Sequence, residues 1–237
     1  MKKFIVVKVF IIIFALLITT ETHSEVKYAV NEEFENLDNW KEVFFEKIKT
    51  HSIYTIDKSD SVSALKLNSD SSASALVYKN KFDIYNTPNI EFSWKINKVI
   101  HGADGSTKVG DDYPVRIYIM FEYDPVKSGI KDKAVFNTLK YFYGEYPPES
   151  SLNYVWSNIE YKTPMINSPY TDRVKVLFLN SGNASAGKWI VHTRNVLDDY
   201  KKFFKKNPPK FATLGIMIDT DNTGKIAESY IDYIRIY

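Results

Sequence analysis

The run KVGDDYPVRIYIMF, residues 108–121, decides the fold class. It opens as a polar turn at Lys108, Val109 and Gly110 and continues as a strand. Strand side chains alternate between two faces. Tyr113, Val115, Ile117, Ile119 and Phe121 therefore form one apolar row fit for a core. Asp112, Arg116 and Tyr118 point the other way and bring a carboxylate, a guanidinium and a phenol to the second face. Asp112 and Arg116 stand roughly 13 Å apart at about 3.3 Å per residue, so they cannot pair across a straight strand. Each needs another partner, in the protein or in a ligand.

The same alternation recurs outward from this run. Residues 90–96 place Ile90, Phe92, Trp94 and Ile96 on one face, with Glu91, Ser93 and Lys95 on the other. Residues 173–180 alternate Val174, Val176 and Phe178 with Arg173 and Lys175. Leu65 and Leu67 share a face in residues 63–67. Further strands are predicted within 41–58, 75–78, 152–156, 189–193, 213–218 and 229–237. Residues 101–110 form a loop with Gly102, Gly105 and Gly110. Residues 161–172 carry Pro164 and Pro169 and read as one long loop.

Two segments have helical spacing. Residues 133–143 present Val135, Leu139 and Phe142. Residues 195–206 present Val196, Tyr200 and Phe203, with Asn195 as N-cap, Asp198 and Asp199 in the first turns and lysines toward the end, an order that suits the helix dipole. Asn207-Pro208-Pro209 stops this helix. About ten short strands and two isolated helices predict a mostly β chain, a single antiparallel β-sandwich of jelly-roll type.

Residues 1–24 stand apart. Lys2 and Lys3 precede an apolar run broken only by Lys8, and Thr22-His23-Ser24 ends it with small residues where a signal peptidase cleaves. This is a secretory signal pattern, predicting a periplasmic or secreted protein. Read instead as an uncleaved anchor, the run is short for a span of about 20 residues. Cleavage removes three of 31 basic and one of 29 acidic side chains, leaving 28 of each in a single domain of residues 25–237. A neutral mature chain has no global field for nucleic acid or anionic lipid, and no stable membrane span remains. The absence of cysteine excludes a disulfide, a lipidated N-terminus and a thiol nucleophile.

Four groups of residues could carry chemistry. Lys108, Asp111, Asp112, Arg116 and Tyr118 could grip sugar hydroxyls and carboxylates, or act as acid and base. The plain alternative is a structural ion pair. Asp219, Asp221 and Asn222, within DTDNTG at 219–224, alternate hard oxygens before a glycine and could ring calcium, the one cofactor the sequence suggests; a capped turn explains the same residues. Asp219 could also face the same cleft as Arg116. Arg173, Lys175, His192 and Arg194 would make a basic patch if their strands were neighbours, and His192 is a candidate general base. Trp156, Tyr154, Tyr170 and Trp189 could stack on sugars or fill the core, whereas Trp94 shares its face with Phe92 and reads as core.

Several blocks together resemble a known family. They are Ser72-Ala73-Ser74-Ala75-Leu76, Phe92-Ser93-Trp94-Lys95-Ile96, Lys108-Val109-Gly110-Asp111-Asp112-Tyr113 with Arg116, Tyr154-Val155-Trp156, Ser168-Pro169-Tyr170 with Arg173-Val174, Arg194-Asn195-Val196 with Asp199-Tyr200, and the 219–224 loop. In this order they resemble the bacterial secreted proteins grouped as domain of unknown function 3047. The resemblance implies a secreted or periplasmic β-sandwich and implies no activity. Where the family usually has Phe-Gly at the end of the helix, this chain has Phe203-Phe204-Lys205.

No paired-histidine zinc motif, glycine-rich phosphate loop or Gly-x-Ser-x-Gly elbow occurs. The expectation is a domain that binds a glycan or other cell-envelope component through Lys108, Asp112, Arg116, Tyr118, Trp156, Arg173 and Arg194. The alternatives are a glycan hydrolase or lyase using Asp111, Asp112 and Arg116, and a structural envelope protein without ligand.

Overall fold

The computed structural model describes residues 26–59, 63–143 and 146–237, and the predicted signal at 1–24 lies outside them. The strands are β1 (Val30–Glu32), β2 (Trp40–Val43), β3 (Ile53–Asp57), β4 (Ala64–Asp70), β5 (Ala73–Tyr78), β6 (Phe82–Asp83), β7 (Asn89–Ile96), β8 (Arg116–Phe121), β9 (Ser150–Ser157), β10 (Met165–Ser168), β11 (Thr171–Ser181), β12 (Ile190–Asn195), β13 (Phe211–Asp219) and β14 (Ile226–Ile236). The helices are α1 (Ile130–Tyr143) and α2 (Val196–Phe204).

Two sheets face each other. One runs β12-β7-β14-β4-β3, with β1 added to β14; the other runs β10-β11-β9-β8-β13-β5-β2, with β6 added to β13. The core between them holds Ile117, Ile119 and Phe121 of β8 against Ile90, Phe92, Trp94 and Ile96 of β7, all fully buried. This is the sandwich predicted, and the alternating rows of β7 and β8 put it there.

Three details differ from the sequence expectation. First, the larger sheet is mixed. β9 and β11 pair in parallel because β10 lies between them in sequence and forms an edge hairpin with β11, which reverses the chain. β10 sits between Pro164 and Pro169, where a loop was expected; prolines at both ends of an edge strand cost no ladder bonds. Second, β8 begins only at Arg116. The chain bends at Pro114, which has no N–H to give a ladder, so Tyr113 leaves the main core. It joins a second cluster with Val155 and Val176, on the outer side of the sheet. Third, α1 buries Phe136 and exposes Val135; the side chains of Leu139 and Phe142 lie outside the described ones. Phe136 stacks on Tyr123, their ring centres 3.8 Å apart.

Helix α2 matches its prediction. The Asn195 side chain accepts from the Asp198 N–H at 2.9 Å. Lys205 closes the helix at φ 57°, a left-handed conformation that glycine adopts without strain. Among the described residues, no helix is long and apolar enough to cross a membrane.

Candidate functional site

The site is built where β8 meets β13 at one end of the larger sheet. Register pairs Arg116 with Met217, two residues from Asp219 at the end of β13. The Arg116 guanidinium therefore reaches the Asp219 carboxylate with two parallel bonds, Nε to Oδ1 at 2.8 Å and Nη2 to Oδ2. It also donates to the Asp111 carbonyl, lies 3.5 Å from Asp111 Oδ2, and has Tyr118 Oη at 3.4 Å. The Tyr113 ring covers it at 4.4 Å. Arg116 is 3 % exposed and Asp219 2 %. The partner that Arg116 needed is thus Asp219, brought from 103 residues away.

Asp112 is fully buried and has a different task. Oδ1 accepts from the backbone and side-chain amides of Asn222, and Oδ2 from the Thr223 N–H at 2.7 Å. It pins the 219–224 loop to the start of β8. The Tyr113 N–H adds a bond to Asp219 Oδ1 at 3.1 Å. Gly105 permits the close fit around this corner, since a Cβ there would stand 1.6 Å from Tyr113 Oη.

Burial dominates the electrostatics. It pushes Asp219 up from 3.8 to about 7 despite Arg116, with Asp112 and Asp111 adding to the rise. Asp111 and Asp221 are raised by burial as well. Among the described residues, Asp112, Asp219 and Asp221 each place an oxygen within 4.8 Å of the others and could hold a metal ion. A cation there would have to share Asp219 with Arg116 and Asp112 with the loop N–H groups. Asn222, expected as a ligand, donates its side-chain N–H to Asp112, and its Oδ1 accepts from Tyr170 Oη at 3.4 Å.

The remaining predicted residues disperse. Lys108 lies over the exposed Tyr170 ring at 5.4 Å, and Tyr170 Oη donates to the Lys108 carbonyl, so both border the cluster. Tyr118 is inside it. Trp156 is fully buried in the core; its indole N–H donates to the Gly182 carbonyl, and neither ring face is open to a sugar. Tyr154 is buried too, its hydroxyl donating to Asp199. Arg173 bridges to Asp132 of α1 and stacks over Phe136. Arg194 clamps Asp199 at the foot of α2. The basic patch does not form, because β11 and β12 belong to different sheets.

His192 is a neutral donor. Asn180 Oδ1 accepts from Trp94 Nε1 at 2.9 Å and from His192 Nε2 at 2.7 Å. Burial and the Arg194 charge lower its pKa from 6.5 to about 4. Between those values the unfolded chain binds the extra proton, so this histidine removes stability as pH falls from 6.5 toward 4. A His192→Gln variant keeps an N–H donor without the titration. Its stability relative to the parent is expected to rise as pH falls through that window, measured by urea unfolding at several pH values. A constant difference would show that His192 does not titrate there.

A feature that single-strand reading missed lies on the outer face of the larger sheet. A groove of about 710 Å³ is lined there by Lys41, Val43, Val77, Tyr78, Lys79 and Lys81 from one side and by Lys140, Tyr146, Pro147 and Pro148 from the other. Met120 and Thr213, neighbours across β8 and β13, line it as well. Alternation marks Met120 as outward-facing, but the neighbours that complete the groove come from three separate parts of the chain. A second recess, of about 650 Å³, lies among residues 122–129 and 206–211, but its Lys206 and Lys210 are tied to Glu149 and Asp83.

Fold and site together define a two-sheet β-sandwich with a buried arginine–carboxylate knot at one sheet end and an open basic groove on one outer face. The chain belongs to the family described as protein of unknown function DUF3047, whose model matches residues 38–235. No curated protein matches it in sequence. Among solved structures it is similar to the family 11 carbohydrate-binding module of a Clostridium thermocellum cellulosomal cellulase, at 11 % identity and TM-score 0.41, covering 89 % of this chain and 92 % of that one. It is also similar to a family 12 xyloglucanase from Bacillus licheniformis, at 10 % identity and TM-score 0.43, covering 89 % and 98 %. A lectin from Bauhinia forficata gives 13 % and 0.38, covering 87 % and 96 %. At these identities and scores the likeness assigns no function.

Proposed function

We propose that this protein binds an acidic glycan in the groove on the outer face of its larger sheet. The observation that carries this reading is the lining by the described residues: three tyrosines, an apolar stretch of Val43, Val77 and Met120, and four lysines against one glutamate, Glu122. A pyranose packs its apolar face on a phenol ring. Lysines at the rim draw in carboxylates or sulfates and set the on-rate. Lys81 already pairs with Glu122 at 2.6 Å, and the Lys79 ammonium donates to the Asp38 carbonyl. Lys41 and Lys140 are therefore the cations we assign to the ligand. The basic and apolar start of residues 1–24 supports placing this binding in the periplasm or outside the cell.

A hydrolase or lyase centred on Asp111, Asp112 and Arg116 has less support. Asp112 gives both oxygens to the 219–224 loop, and Arg116 is closed in by Asp219 and Tyr113. The test is affinity electrophoresis of the protein through gels carrying polygalacturonate, alginate or a neutral β-glucan. Retardation by an acidic polymer is expected, weakened at least about tenfold in a Lys41→Glu/Lys140→Glu variant and sensitive to salt. Equal migration in all gels would leave the structural envelope reading.

A further inference from the structure

The opposite sheet carries a smaller recess of about 250 Å³, lined by Asp57, Ser59, Ala64, Lys95, Trp189, Tyr230 and Asp232. Three features separate it from an ordinary patch of sheet surface. Trp189 is 39 % exposed, whereas Trp40, Trp94 and Trp156 are at most 4 % exposed. The Lys95 ammonium lies 4.6 Å from the Trp189 ring centre and 4.5 Å from that of Tyr230, so one cation is held by two aromatic rings. Third, β14 has a bulge at this point. Its register against β7 passes from Ile231 opposite Trp94 to Tyr233 opposite Ser93, leaving Asp232 as the extra residue. Ile231 and Ile234 both remain buried in the core, so Asp232 and Tyr233 both turn outward. A bulge that re-aims a side chain is a common device beside binding sites.

We propose that this recess is a second carbohydrate site, for one uncharged pyranose residue of a glycan. The Trp189 ring supplies the stacking surface. Asp232 and Asp57 accept from vicinal sugar hydroxyls, and Lys95 donates to a third. Asp57 already accepts from the Ser59 N–H through Oδ1 at 2.9 Å, which orients it. Among the described lining residues, two carboxylates against one ammonium make the recess net negative, so it repels the uronates that the groove on the other sheet attracts. The two sites differ in sheet, in residues and in charge preference, and either can fail without the other.

The exposure of Trp189 provides the assay. Acrylamide quenching of tryptophan fluorescence in the full chain reads mainly this residue, since the other three are buried. Cellohexaose, mannohexaose and xylohexaose are the probes, with polygalacturonate as the acidic control. At least one neutral oligosaccharide is expected to shield Trp189. Asp232→Ala is expected to raise the concentration needed by at least about tenfold. Trp189→Phe should abolish the quenchable fraction at unchanged melting temperature, and Lys41→Glu/Lys140→Glu should leave shielding intact. Shielding by none of the three, shielding by the acidic polymer as strong as by the neutral ones, or full shielding in Asp232→Ala would each overturn the proposal.

Discussion

Arg116→Met is expected to lower the unfolding free energy by about 3–5 kcal/mol, the range found when one member of a buried ion pair is removed. The guanidinium is enclosed among Asp219, Asp111, Tyr118 and Tyr113 and is 3 % exposed. Methionine fills much of the same volume but leaves the Asp219 carboxylate without a counter-charge. The loss also depends on pH. Asp219 already sits at about 7 in the folded chain against an ordinary 3.8, and losing Arg116 raises it further. A group raised on folding is protonated more readily in the native state, so its penalty is relieved as pH falls. The destabilisation by Arg116→Met should therefore be larger near about pH 8 than near about pH 5. Urea unfolding at both pH values measures this. The double variant Arg116→Met/Asp219→Leu should recover part of the loss, because it removes the orphaned charge as well. An Arg116→Met protein that melts with the parent but fails to bind glycan would return Arg116 to the ligand contacts named from sequence.

Asp199→Ala is expected to cost about 3 kcal/mol. Asp199 is 4 % exposed. It accepts from the buried Tyr154 hydroxyl at 2.8 Å and takes two bonds from Arg194, one from Nε at 2.9 Å. Alanine would strand a phenol hydroxyl inside the core and free the arginine that ties β12 to α2. Thermal melting together with hydrogen exchange of α2 is the check. The exchange of α2 should accelerate more than that of β7, because α2 is held from its first turn by this contact. Uniform acceleration would show that Asp199 supports the whole sandwich rather than the docking of one helix. Arg194→Ala should cost less, since Asp199 keeps its bond from Tyr154 and Arg194 is partly in solvent.

Resemblance and periodicity were enough for the family and the sandwich, and they failed at particular residues for physical reasons. The apolar rows of β7 and β8 were legible because a half-buried strand writes its burial into every second residue. The N-cap Asn195 was legible because capping is local. Trp156 was expected among the ligand contacts and is core instead, because aromatic residues serve cores and ligand surfaces equally well, and only the neighbours decide. It became core by facing Trp94 across the two sheets at 6.2 Å. Trp189 became surface because it precedes β12, the edge strand of the smaller sheet.

Arg116 marks the same division between sequence and structure. Its strand and outward direction follow from residues 108–121 alone, and so does the conclusion that Asp112 could not be its partner. That its partner is Asp219, that Tyr113 leaves the core row to cover it, and that both charges are buried depend on pairing β8 with β13. Local sequence determined which residues lie in strands, which face of each strand is apolar, and where α2 begins, because backbone geometry acts over a few residues. The tertiary structure decided which strands are neighbours, and with them the ion pairs, the groove and the Trp189 recess. Those contacts join segments far apart in the chain, 202 residues in the ion pair between Glu33 and Arg235, and no periodicity along the chain encodes them.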